Sequence, residues 1–169
     1  MKQTIAITGA TGFIGRRICH RLLEAGYRVR ALVRTPKKAR EQLPAVVELV
    51  EGSLADADSL GRLVSDAQAV VHCAGAVRGT TREQFDRVNV AGVRSLLRVL
   101  ESREQPPRLL ALSSLAASEP ELSHYAASKR AGEEVLVNEA RRVRWLALRP
   151  PAVYGPGDTE LLPLFRAMS

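Results

Sequence analysis

The sequence predicts an α/β fold: a doubly wound parallel sheet with helices on both faces. Three observations predict it. Short apolar runs alternate with segments of helical periodicity from the N-terminus onward. The runs are apolar on both sides, as strands buried within a parallel sheet must be. A glycine triplet follows the first run and opens the first helical segment.

Taken in order, residues 2–8 read as the first strand and residues 13–25 as a helix, with Ile14, Ile18, Leu22 and Ala25 at helical spacing. Gly26 fits a C-terminal cap. The second strand is 28–33, and a short helix over 36–42 leads to a third strand at 45–50. Residues 56–65 have helical character, with Asp56 and Asp58 as its N-terminal acids, and 69–73 form a fourth strand. One long helix is predicted over 81–102, with Phe85, Val88, Val93, Leu96, Leu97 and Leu100 on its inner side and Pro106-Pro107 beyond its end. Residues 109–113 are a fifth strand, 123–140 a helix and 143–148 a sixth strand. Gly155-Pro156-Gly157-Asp158 is a turn cluster. An amphipathic helix is then expected over 159–168, and the stop at Ser169 without a cap reads as a cut inside a longer protein.

Composition narrows the function classes. A chain that is 46% hydrophobic and 25% charged can build a core, and no apolar run reaches membrane-span length. The N-terminus has no signal-peptide pattern, and two cysteines, Cys19 and Cys73, make neither a disulfide framework nor a zinc site. The expected compartment is the cytoplasm, with no membrane partner. A net charge of +7 raises nucleic acid as a partner. The arginines are scattered (Arg16-Arg17, Arg34, Arg94, Arg103, Arg141-Arg142) and aromatics are 4%, so there is no stacking platform. The excess reads as solvated surface with some attraction for a phosphorylated small molecule.

The run Thr8-Gly9-Ala10-Thr11-Gly12-Phe13-Ile14-Gly15 carries the first chemistry. Glycine here permits a tight turn, close approach of backbone to a pyrophosphate, and tight helix–strand packing. Free N–H groups and the helix dipole then hold the phosphates. Gly9, Thr11, Gly12, Phe13, Ile14 and Gly15 are the candidate cofactor residues. The spacing is G-x-x-G-x-x-G, and the absence of Gly-Lys-Ser/Thr excludes a nucleoside-triphosphate P-loop. Dinucleotide choice follows from the end of the second strand, Val33-Arg34-Thr35-Pro36-Lys37-Lys38. No acid stands there to bind ribose hydroxyls. Arg34, helped by Lys37 or Lys38, can pair with a 2′-phosphate, so NADP is expected, with NAD as the alternative.

The second chemistry is Tyr125-Ala126-Ala127-Ser128-Lys129, which puts a phenol and an ammonium four residues apart on one helical face. A phenol with an ammonium on the same helical face is suited to acid/base work, so Tyr125 is expected to pass a proton to or from a substrate oxygen. Ser113 and Ser114 end the fifth strand, at the edge where ligands bind in such sheets, and a hydroxyl there can polarise the same oxygen. No ligand cluster surrounds His72, which reads as packed, and no metal is expected. His124 adjoins Tyr125 and is a secondary candidate for substrate contact. Cys19 and Trp145 read as packing.

With these motifs in order, the sequence resembles the extended short-chain dehydrogenases/reductases, which include epimerases/dehydratases of nucleotide sugars, 3β-hydroxysteroid dehydrogenases and dihydroflavonol-type reductases. The resemblance rests on Thr8 to Gly15, Val71-His72-Cys73-Ala74-Gly75, Asn89-Val90-Ala91-Gly92, Leu112-Ser113-Ser114, Tyr125 to Lys129, and Arg149-Pro150-Pro151-Ala152-Val153-Tyr154-Gly155-Pro156-Gly157. It implies a Rossmann-like sheet, with Tyr125 as acid/base, Lys129 on the nicotinamide ribose and Ser114 orienting the substrate oxygen. It implies pyrophosphate contacts from Gly9, Gly12, Phe13 and Ile14, and adenine contacts near Ser53 and Leu54. Cys73, Ala74 and Gly75 would line the cofactor, Pro151 and Val153 would flank the nicotinamide, and Asn89 would support the site. Ser53 stands where many members carry Asp, and only ten residues separate Ser114 from Tyr125.

Residues 1–157 are thus expected to form an NAD(P)-binding domain, and 158–169 to begin a truncated C-terminal substrate-binding part. The expected activity is hydride transfer at a secondary alcohol or ketone of a small molecule, as net redox or as a step of epimerisation or dehydration. A non-catalytic NADP-binding sensor or assembly module is the alternative, and a homodimer is compatible with either.

Overall fold

A computed structural model describes residues 2–158; the helix expected over 159–168 lies outside them. Six parallel strands form one sheet in the order β3-β2-β1-β4-β5-β6. They are β1 (Thr4–Thr8), β2 (Arg28–Val33), β3 (Glu48–Glu51), β4 (Ala69–His72), β5 (Arg108–Leu112) and β6 (Trp145–Leu148). The helices are α1 (Phe13–Glu24), α2 (Pro36–Arg40), α3 (Ala57–Leu63), α4 (Arg82–Asn89), α5 (Ala91–Glu101) and α6 (His124–Glu139). The strand order reverses between β1 and β4, which is where such folds open a crevice for ligands.

Strand alternation sorts the core into two layers. On β1, Ile5 and Ile7 face a cluster with Cys19, Val29, Ala31 and Val33. Ala6 faces the other side, with Leu32, Leu60, Leu96, Leu97, Leu100 and Leu136. A strand buried at all five positions, as β1 is, therefore feeds both layers, and its continuous apolar run follows from that.

Four of the differences from the sequence reading have an identifiable cause. The long helix is kinked at Val90 (φ −112°, ψ −62°) into α4 and α5. Its hydrogen-bond ladder runs on, since Val90 N–H donates to Asp86 O and Arg94 N–H to Val90 O, both at 3.0 Å, so the apolar period gives no sign of the kink. β3 starts only at Glu48, because Val47 N–H closes a turn onto Pro44 O at 3.0 Å. β6 starts only at Trp145, because the Glu101 carboxylate takes the N–H groups of Arg141, Arg142 and Val143 at 2.8–3.0 Å. Finally, the loop after β5 winds into two 3₁₀ turns, Leu115–Ser118 and Pro120–Leu122. Elsewhere Asp56 caps α3 by accepting from Asp58 and Ser59 N–H, and Gly26 takes φ +86° just past α1. Among the described residues, no helix is long and apolar enough to cross a membrane, and no group of three acidic, His or Cys side chains could hold a metal.

Candidate active site

β1 delivers the chain to Gly9, whose φ of +71° is a conformation that side chains resist. The turn closes through Gly12 N–H donating to Gly9 O at 3.0 Å, and Arg16 N–H donating to Gly12 O begins the α1 ladder. The N–H groups of Phe13, Ile14 and Gly15 thus have no intrahelical acceptor and point out of the helix start. No acid stands in that first turn to repel an anion. A β-carbon on Gly15 would overlap the Gly9 carbonyl oxygen, and one on Gly9 would lie 2.5 Å from Ala74 N. Glycine is required here by contact as well as by conformation. Thr11 is exposed at the loop tip.

The same turn is packed on the segment after β4. Thr8 Oγ1 accepts from Ala74 N–H at 3.3 Å and shares a 2.7 Å hydrogen bond with His72 Nδ1. His72 is buried at 2% exposure. Burial, reinforced by the charge of Lys129, holds its pKa down at about 3, so the ring is neutral. It is the packed histidine the sequence suggests. Beyond it, Gly75 faces Lys129: a β-carbon there would lie 3.6 Å from Nζ.

The other cofactor candidates line the same edge. Arg34 directly follows β2 and Lys37 lies on α2, both exposed. Ser53 follows β3, and Leu54 packs where Gly92 of α5 leaves room. From the far edge, the chain after β6 runs back across the strand ends. Val153 and Tyr154 reach a groove of about 390 Å³ that they share with Phe13 and Ile14 of α1, and Arg17 donates to Pro156 O at 3.3 Å. Pro151 is exposed on that arm.

Ser123 caps the start of α6, its hydroxyl accepting from Ala126 N–H at 3.0 Å. It is pressed against α4, since a β-carbon on Gly132 would overlap the Asn89 carbonyl oxygen. The buried Asn89 fixes three parts at once. Its Oδ1 accepts from Ala76 N–H at 2.8 Å, and its Nδ2 donates to Ala76 O at 3.0 Å and to Ser128 Oγ at 2.8 Å. Ser128 in turn donates to Tyr125 O at 2.7 Å. The Tyr125 ring stands edge-on to Phe85, centroids 6.1 Å apart.

Lys129 Nζ donates to Leu112 O, at the end of β5, at 2.6 Å. Burial pushes its pKa down to about 8, opposed by the nearby Glu133 carboxylate. The serine pair is split. Ser113 is buried and donates to Glu133 Oε1. Ser114 accepts from Ala116 N–H at 3.2 Å, which leaves its own proton available to a substrate oxygen.

Sequence reasoning gave no role to Glu133, Gly132 or Ser128, and Arg149 entered only as part of a motif. Glu133 had a visible signal: it lies four residues beyond Lys129, on the face shared with Tyr125.

The fold and the edge it assembles define a Rossmann-type domain, with a glycine-built turn at the switch point and Lys129 facing Gly75 in the segment packed against that turn. The family model for the NAD dependent epimerase/dehydratase family matches residues 5–168, and the chain belongs to that family. Among curated relatives, a ceramide reductase of Caulobacter vibrioides is 45% identical over 165 residues, covering 98% of this chain and 51% of the relative. A decarboxylating sterol-4-alpha-carboxylate 3-dehydrogenase of Candida albicans is 26% identical over 191 residues, covering 98% of this chain and 55% of the relative. The chain thus spans about half the length of the curated relatives it matches. Among solved structures, the Bordetella bronchiseptica enzyme WbmH in complex with NAD+ superposes with a TM-score of 0.83 at 26% identity, covering 99% of this chain and 62% of that one.

Proposed function

We propose that this chain is the cofactor-binding and catalytic part of an NADPH-dependent reductase that converts a ketone to a secondary alcohol, on a lipid of the ceramide class. The observation that carries the reading is the meeting of three parts at one strand edge: the Gly9–Gly15 cradle, Gly75 facing Lys129 Nζ, and Ser114 with a proton to donate. The 45% identity to a ceramide reductase favours the lipid.

The cradle fits a dinucleotide pyrophosphate, because it offers unpaired backbone N–H groups and no acid. Gly9, Thr11, Gly12, Phe13, Ile14 and Gly15 hold that part, Ser53 and Leu54 the adenine end, and Cys73, Ala74, Gly75, Pro151 and Val153 the nicotinamide end. Arg34 and Lys37 pair with a 2′-phosphate, which selects NADP over NAD. Bound NADPH supplies the hydride. Ser114 donates a hydrogen bond to the ketone oxygen and polarises it. Tyr125 gives its proton to that oxygen as negative charge develops there. Lys129, held by the Leu112 carbonyl, stabilises the resulting phenolate and binds the nicotinamide ribose. Residues 158–169 begin the substrate-binding part, and the two free cysteines, Cys19 and Cys73, suit a cytoplasmic protein. A non-catalytic sensor has no use for a serine, tyrosine and lysine acid/base set such as Ser114, Tyr125 and Lys129.

The test is NADPH oxidation by the full-length protein with a keto-lipid. Tyr125→Phe lowers kcat by about 10²–10⁴ while NADPH still binds; an unchanged rate would refute the mechanism. Arg34→Ala weakens NADPH binding about tenfold and leaves NADH binding as it was, by fluorescence titration. Equal loss for both dinucleotides would remove the case for NADP.

A further inference from the structure

One turn beyond Lys129, α6 carries a carboxylate, Glu133, bonded to the segments that follow β5 and β6. The Glu133 side chain is 12% exposed. Its Oε1 accepts from Ser113 Oγ and, at 2.8 Å, from Arg149 Nε. Its Oε2 accepts from Arg149 Nη2 at 2.5 Å and Nε at 3.2 Å. Arg149 extends the chain of contacts, with Nη1 donating to Ser118 Oγ at 3.3 Å. These partners come from separate parts of the fold. Ser113 directly follows β5 and immediately precedes Ser114. Ser118 closes the first 3₁₀ turn after Ser114. Arg149 follows β6 and starts the arm that carries Pro151 and Val153 toward α1.

We infer that Glu133 is a positioning residue: through Ser113 and Arg149 it locks the segments that follow β5 and β6 onto the helix that bears Tyr125 and Lys129. The inference rests on the catalytic reading above. Three elements must hold their reacting groups in register: Lys129 Nζ ties α6 to the Leu112 carbonyl at the end of β5, and backbone pairing ties β5 to β6. Ser113 N–H donates to Leu148 O at 2.7 Å and Leu115 N–H to Pro150 O at 2.9 Å, but neither reaches α6. A bidentate Arg–carboxylate pair is the geometry that fixes direction as well as distance. Displacement of Ser114 by an ångström at the reacting oxygen is enough to cost a large factor in rate.

The carboxylate also faces Lys129 along α6, with His72 and Cys73 approaching the ammonium from β4, and Arg149 and Arg130 facing the carboxylate. Its charge favours the protonated amine, opposing the desolvation. The same lock therefore leaves a pH signature that loss of packing alone would not.

The experiment uses full-length protein, NADPH and the keto-lipid, with Glu133→Gln, Glu133→Asp, Ser113→Ala and Tyr125→Phe side by side. Glu133→Gln lowers kcat about tenfold or more, retains NADPH binding, and moves the alkaline limb of the kcat/KM profile to lower pH. Glu133→Asp, shorter but charged, returns the limb toward its original position while kcat stays low. Ser113→Ala lowers kcat severalfold with the limb unmoved, and decides the matter if Glu133→Gln does not fold. Wild-type kcat in Ser113→Ala and in every folded Glu133 variant, or a fall in kcat with no shift of the limb in Glu133→Gln, overturns the proposal. Tyr125→Phe separates the two readings: if it is inactive while those variants match wild type, only the lock fails. If it too is fully active, the catalytic reading fails with it.

Discussion

The two halves of the sheet's C-terminal edge are built from different materials. The β1 half is backbone: the Gly9 turn, the Gly9–Gly12 hydrogen bond and the α1 start involve almost no side chain. The β4–β5–β6 half is side chain: Asn89, Ser113, Ser128, Lys129, Glu133 and Arg149 pin loops and helix to one another. A backbone cradle tolerates no added atom, because nothing in it can rotate away. A side-chain network can lose one member and relax, but each loss leaves a buried partner unsatisfied.

That difference is open to attack at either end. The largest effect is expected at Gly15. Gly15→Ala places a methyl against the Gly9 carbonyl oxygen, a contact that only backbone movement relieves. It should cost about 3 kcal/mol, the upper end of overpacking costs, and abolish NADPH binding, measured by urea unfolding and titration. A neutral Gly15→Ala would show that the cradle yields as side chains do.

A smaller, graded effect is expected at His72, on the side-chain half. Its pKa is about 3 in the fold, against about 6.5 in an unfolded chain. Between those values the unfolded state takes up a proton that the folded state does not. The contribution is therefore fully present above about pH 6.5 and is lost progressively as pH falls toward 3. Urea unfolding at pH 7 and pH 5 should show His72→Gln losing less stability over this interval than wild type. Identical losses in the two proteins would mean that the imidazole is not held neutral.

The same division explains what could be read from the amino acids. Glycine spacing after an apolar run reports a backbone requirement directly, so the Gly9–Gly15 turn was legible from pattern alone, as was the parallel sheet from the alternation of apolar runs and helical segments. Tyr125 and Lys129 were legible because both lie on one face of one helix. Glu133 acts through Ser113 and Arg149, which are 20 and 16 residues away in sequence, and no local period reveals such a meeting. The kink at Val90 was hidden because the apolar positions of α4 and α5 stay nearly in phase across it. The late start of β6 was hidden because Glu101, a residue of α5, captures the three N–H groups before it. At the start of β6 the missing information is a distant side chain bonding to backbone.

Asn89 shows what such bonding does for a segment with no regular structure. It gives and takes one hydrogen bond with Ala76, the paired exchange that one strand residue offers its neighbour. The loop after β4 thereby has a substitute for a strand partner, supplied by the end of a helix. Its order is borrowed from α4, and its opening and that of α4 belong to one cooperative unit. The amide of Ala76, in a stretch that looks like open loop, should exchange with solvent deuterium as slowly as the amides of α4 itself.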